Sequence, residues 1–143
     1  MRQPRSADVA RLVGHRNVFS GEVSRVDHEA ERTWITWAGH ELECQLNSEF
    51  AVGETVDWMI PSSEIVLHRR DRPSRGEHEN PVFGDIREMI VLADDANFEV
   101  SVENETLPIS FEVSAHVARR NGLDVGERVG VSLLSSGIHL MAK

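Results

Sequence analysis

VGETVDWMIPSSEIVL, Val52 to Leu67, lies on VGERVGVSLLSSGIHL, Val125 to Leu140, without a gap when the chain is shifted by 73 residues. Eight of the sixteen positions are identical, and the apolar positions mostly coincide. A shift of 63 lays NVFSGEV (Asn17 to Val23) on NPVFGDI (Asn80 to Ile86), keeping Asn, Gly, an acid and a branched aliphatic in step. The difference, 73 − 63 = 10 residues, falls mostly near SAHVARRNGLD in the later copy. Two matches in the same order read as a duplication, the first feature to settle in any chain.

Each copy is then about 60 residues, a size that buries only about 60% of its unfolded surface and is marginal alone. The two copies are therefore expected to share a core, exchange a strand, or dimerise. A homodimer is the expected assembly. The polar stretch RRDRPSRGEHE (Arg69 to Glu79), with Pro73 and Gly76, reads as the connection between them. The resulting division is 1–13 as an N-terminal helix and lead-in, 14–70 as the first unit, 71–79 as the linker, and 80–143 as the second unit.

Within copy one, FSGEVSRVD and TWITWAG alternate, and Ala38-Gly39 reads as a hairpin turn with a return through Leu42, Cys44 and Leu46. GETVDWMI and EIVLHR supply two more strands, with PSS as the corner between them. Copy two repeats the set in VFGDIREMIVL, NFEVSVEN, LPISFEV, ERVGVSLL and GIHLM. Its added SAHVARRNGLDVG reads as one short helix, capped by Ser114 and stopped at Asn121-Gly122. Ser6 caps a second short helix over ADVARLV, ended by Gly14. The expected class is all-β: two tandem five-stranded barrels, with a short N-terminal helix and one short helix in the second copy.

The 143 residues are 40% hydrophobic and 27% charged, with a formal net charge of −9. That charge disfavours nucleic acid and anionic membranes as partners. No run approaches the roughly 20 apolar residues of a membrane span, so direct insertion is not expected. The single cysteine, Cys44, excludes an internal disulfide and a cysteine-cluster zinc site, and suits a reducing cytoplasm. The seven histidines lack zinc spacing, and Asp94-Asp95 reads as a hairpin turn. Trp34, Trp37 and Trp58 have no basic stretch beside them, so they read as packing residues rather than base-stacking platforms.

Two small barrels, each ending in G-E-x-V…S-S-x-I-x-L, resemble the transport-associated oligonucleotide-binding-fold domains, known as TOBE or Mop-like domains. NPVFGDI followed by LPISFEVSAHVARRNGLDVGERVGVSLLSSGIHL is similar to the Mop-like copy of molybdate-type transporter subunits. The N-terminal Pro4, Ser6, Val9, Ala10, Gly14, Asn17, Gly21 and Val23 resemble the segment that leaves the ATPase domain of ABC importers. The resemblance implies a cytoplasmic, non-catalytic accessory region of an importer's ATP-binding subunit, peripheral to the inner face of the membrane. Its partners would be the ATPase domain and the permease subunits. A stand-alone molybdate- or tungstate-binding protein of the molbindin type is the alternative. The chain has no G-x-x-x-x-G-K-[ST] phosphate loop, so ATP hydrolysis is not expected of it.

In the Mop-like family, molybdate or tungstate binds between adjacent copies through a Ser-x-Arg-Asn segment, corner serines, backbone amides and often a lysine. A tetrahedral dianion needs several N–H and O–H donors and positive charge nearby. Carried onto this chain, the resemblance points to Arg16, Asn17, Ser62, Ser63, Asn80, Ser135 and Ser136, for molybdate, tungstate or sulfate. Gly14 stands where the family has its serine, Glu79 where copy two would have arginine, and Leu133-Leu134 where a lysine would lie. The alternative reading has Asn17 and Asn80 capping strand turns, Arg16 pairing with a surface acid, and the serines only shaping the corners.

Overall fold

β1 (Val18–Asp27) buries Phe19 and Val23 on one face, as its alternation requires. It pairs antiparallel with β2 (Arg32–Trp37) and β4 (Thr55–Met59), and β2 pairs with β3 (His40–Gln45). The β2–β3 turn is Ala38-Gly39 with φ of +50° and +81°, the two left-handed positions of a two-residue hairpin. The later copy repeats this in β6 (Pro81–Leu92), β7 (Asp95–Ser101), β8 (Ile109–Ser114) and β9 (Arg128–Leu133). Even the irregularity recurs: β1 shifts register between Val23 and Arg25, and β6 between Ile86 and Glu88, 63 residues on. The chain is described by a computed structural model covering residues 17–47, 49–68 and 79–142. The expected N-terminal helix and nearly all of the linker lie outside the described residues.

The last strand of each copy does not join its own sheet. β5 (Ile65–Leu67) pairs with β9, and β10 (His139–Ala142) pairs with β4. The two five-stranded antiparallel sheets therefore run β10-β4-β1-β2-β3 and β5-β9-β6-β7-β8. Of the three solutions expected for such small units, strand exchange is the one adopted. The registers obey the 73-residue repeat: Val66 faces Ser132 while His139 faces Met59, and Leu67 faces Val131 while Leu140 faces Trp58.

The exchange is made at the two Ser-Ser corners, which are 3-10 turns at Ser62–Glu64 and Ser135–Gly137. The corners abut: the Leu134 amide donates to the Glu64 carbonyl at 3.1 Å, and Gly137 has no Cβ because the Glu64 side chain occupies that space. Side chains from both copies, Phe19, Ile35 and Trp58 with Ile86, Phe98 and Leu133 among them, then form one continuous core. The burial that a 60-residue unit lacks is thus supplied inside a single chain.

α1 (Ala115–Arg120) begins where the capping rule puts it. Ser114 Oγ accepts from the Val117 amide at 3.1 Å, and Gly122, at φ +66°, lies just past its end. No helix among the described residues is long and apolar enough to cross a membrane.

All three tryptophans lie in copy one, and Trp58, fully buried, faces Leu140 of β10. Truncation after Gly137 should red-shift the tryptophan emission and abolish a cooperative melt. An unchanged tryptophan spectrum would show that the first sheet does not need the last strand.

Candidate functional site

Two asparagines hold the corners in place. Asn17 Nδ2 donates to the Ser110 carbonyl on β8 (2.8 Å), and the Ser110 amide donates to Asn17 Oδ1 (2.7 Å). The Asn17 carbonyl accepts from Ile60, two residues before the first Ser-Ser pair. Asn80 does the same for copy one: the Glu43 amide donates to its Oδ1, and its Nδ2 donates to the Glu43 and Leu133 carbonyls, at 2.8, 2.8 and 2.9 Å. Asn80 sits at φ +46°, a conformation asparagine tolerates better than most residues. Each asparagine therefore imitates a strand's backbone and closes the free edge of the opposite copy's third strand.

This bonding divides the residues proposed from sequence. Asn80 has both amide protons committed and has no donor left for an anion. Asn17 keeps one N–H. Arg16 lies outside the described residues. Ser62, Ser63 and Ser136 are exposed, Ser135 is half-buried, and none of the four hydroxyls makes a hydrogen bond among the described residues. Each pair lies beside the third strand of the other copy: Ser62-Ser63 by β8 and Ser135-Ser136 by β3.

An open groove of about 640 Å³ runs past the first corner. Asn17, Ser62 and Ser63 contribute donors to it, Ile60 and Phe111 contribute apolar walls, and Glu88, Glu99 and Glu112 contribute three carboxylates. Those carboxylates oppose an anion there. The strand registers give the counterparts of these three positions in copy one: Arg25, Trp34 and Gln45. Arg25 stacks over the Trp34 ring at 4.3 Å, and Arg32 pairs with the buried Glu43 at 2.7 Å. The surroundings of the two corners have diverged in charge although their backbones repeat.

Glu79, the departure from the family's arginine, has its own partner. Ser132 Oγ donates to Glu79 Oε2 at 3.2 Å, and His68 Nε2 lies 2.7 Å from the same hydroxyl. Ser132 has one proton to give, so His68 Nε2 carries the proton of that shorter bond. This chain joins the two ends of the linker across β9, where Gly130 leaves room for the His68 ring. The matching place in copy one is filled by Val18, Met59 and Met141 and is wholly apolar. Burial lowers the His68 pKa, and the Glu79 carboxylate opposes that shift. Cys44 is buried on β3 with its pKa pushed up to about 12 by desolvation and by Glu43, so it is no nucleophile. Among the described residues no cluster of His, Cys, Asp and Glu could hold a metal ion.

Sequence reasoning did not find Ser110, Glu43, or the groove carboxylates. The only advance signal was Ser132, a polar residue at a buried place inside the apolar run VGVSLL.

These features define a class: tandem, strand-exchanged β-barrels of the oligonucleotide-binding type. Among solved structures, the cytoplasmic molybdate-binding protein ModG in a molybdate-bound crystal form matches with a TM-score of 0.77 and 21% identity. The match covers 91% of this chain and 98% of that one. No family model matches the sequence, and no curated protein does.

Two outcomes follow. Asn80→Ala strands three buried backbone groups and should cost about 3 kcal/mol, against about 2 for Asn17→Ala, by chemical denaturation; equal, negligible losses would dismiss the latches. Because folding depresses the His68 pKa, the folded chain binds that proton less readily than the unfolded one. Stability should therefore fall as pH drops below the usual histidine value of about 6.5 and level off below the depressed one. His68→Gln should flatten that slope.

Proposed function

We propose that this chain is a small-oxyanion-binding protein, a stand-alone cytoplasmic carrier of molybdate or tungstate of the molbindin type. The observation that carries the reading is the pair of Ser-Ser corners. Their hydroxyls are free of internal hydrogen bonds, they are fixed by buried asparagine latches, and they sit in a fold shared over nearly its whole length with a molybdate-binding protein. Hydroxyl donors on a rigid corner suit a tetrahedral anion, since the bond is made without ordering a loop. Ser135 and Ser136 are the stronger pair. Three carboxylates line the groove at Ser62 and Ser63, whereas the matching positions around the second corner hold Arg25, Trp34 and Gln45.

A second reading is favoured by one separate observation, the run of Pro4, Ser6, Val9, Ala10, Gly14, Asn17, Gly21 and Val23. It makes the chain the accessory region of an ABC importer's ATP-binding subunit, with the same corners sensing an oxyanion or only supporting the subunit's dimer. Sensing would be a coupling free energy between ligand and assembly.

Calorimetry with molybdate, tungstate and sulfate tests the first reading. Heat is expected with the first two, and Ser135→Ala/Ser136→Ala should weaken binding about tenfold, the worth of one or two hydrogen bonds to a charged group. Absence of heat with all three anions would overturn it. An immunoblot band from native cells far above the size of the 143-residue chain would support the accessory reading.

A further inference from the structure

The internal repeat supplies a built-in comparison, because positions in β1, β2 and β3 have register-matched counterparts in β6, β7 and β8. At the tip of the first hairpin stand Asp27, His28 and Glu29. At the same three places in the second stand Ile90, Val91 and Leu92, which are 46%, 51% and 64% exposed. Nothing in the packing of the chain requires those apolar residues, since they do not pack into its core, and Ile90 and Leu92 border the groove. Contiguous exposed apolar residues with polar neighbours mark an interaction surface.

The neighbours are charged and uncompensated. Glu88, Glu99 and Glu112 line the groove, and none of them makes an ion pair among the described residues. The matching face of copy one offers the opposite chemistry. Arg25 is 58% exposed, lies flat on Trp34, and is otherwise engaged only with exposed Asp27 at 3.3 Å. An exposed pair of that kind contributes little and is easily exchanged for another partner.

We propose that this protein associates head to tail, with the apolar hairpin tip and carboxylate-lined groove of one chain receiving the Arg25–Trp34 face of a second copy. Two copies of one face would meet symmetrically, but three carboxylates against three carboxylates repel. A face that has turned acidic and apolar, facing one that presents a guanidinium on an indole, pairs in one direction only. Such a contact is heterologous, so it closes into a ring or extends as a chain. The inference rests on the two faces alone and holds whether or not an oxyanion binds.

A charge swap tests it. Glu88→Arg/Glu99→Arg places positive groove against positive face, and Arg25→Glu places negative groove against negative face. Each variant alone should self-associate about tenfold or more weakly than wild type by sedimentation velocity. Mixed together, one labelled, they should bind each other by fluorescence anisotropy, because every contact between them is again of opposite sign. Rescue on mixing also shows that neither variant had merely failed to fold. Wild-type association should weaken as salt rises past about 0.1 M, where the screening length is about 10 Å. A wild-type chain that remains monomeric at its highest soluble concentration overturns the proposal. So do variants that associate as wild type does, or two folded variants that ignore each other.

Discussion

The rest of the structure depends on where the last strand of each repeat goes. A four-stranded remnant of about 50 residues cannot exclude enough water to be stable alone. β5 and β10 complete the sheet of the opposite copy, so each half lends its partner the strand that the partner lacks. The exchange is possible because the two corners touch near the centre of the molecule. There the Leu134 amide meets the Glu64 carbonyl, and a glycine at 137 makes room for the Glu64 side chain. Any larger residue at Gly137 would force the corners apart and draw both strands with them.

The asparagine latches follow from the same arrangement. Exchanging strands leaves the third strand of each copy with an unpaired edge, a liability that proteins cover or block. Asn17 and Asn80 block it with side-chain amides that pair with Ser110 and Glu43 as a strand would. They also pin the chain close to the Ser-Ser corners, so positioning of the hydroxyls and closing of the edge are one act. Once the backbone was fixed twice over, the side chains around each corner were free to diverge. Copy two became acidic and apolar at its hairpin, while copy one kept Arg25, Trp34 and Arg32.

Much of the fold was legible because its signals are local. The G-E-x-V…S-S-x-I-x-L repeat, the Ala38-Gly39 turn, the Ser114 cap and the buried Cys44 are all decided by near neighbours in sequence. The partner of the last strand was not. Ile65 and Leu67 present the same apolar pattern to either copy's fourth strand, so alternation cannot say which sheet they join. The candidate site was legible only in part. Its serines announce themselves as a repeated corner. The partners that fix or oppose them do not: Ser110 lies 93 residues from Asn17, and Glu88, Glu99 and Glu112 come from three different strands. Glu79 looked like a lost arginine until Ser132 and His68 gave it a role that copy one, apolar at that place, does not need.

The central claim is that two repeats make one cooperative body. Native-state hydrogen exchange on β4 and β9 measures it most directly, since each is a central strand flanked by a strand from the other copy. The amides of both strands should open with one shared free energy, equal to that of global unfolding. Two separate values, with the amides of β4 exchanging while those of β9 stay protected, would contradict it.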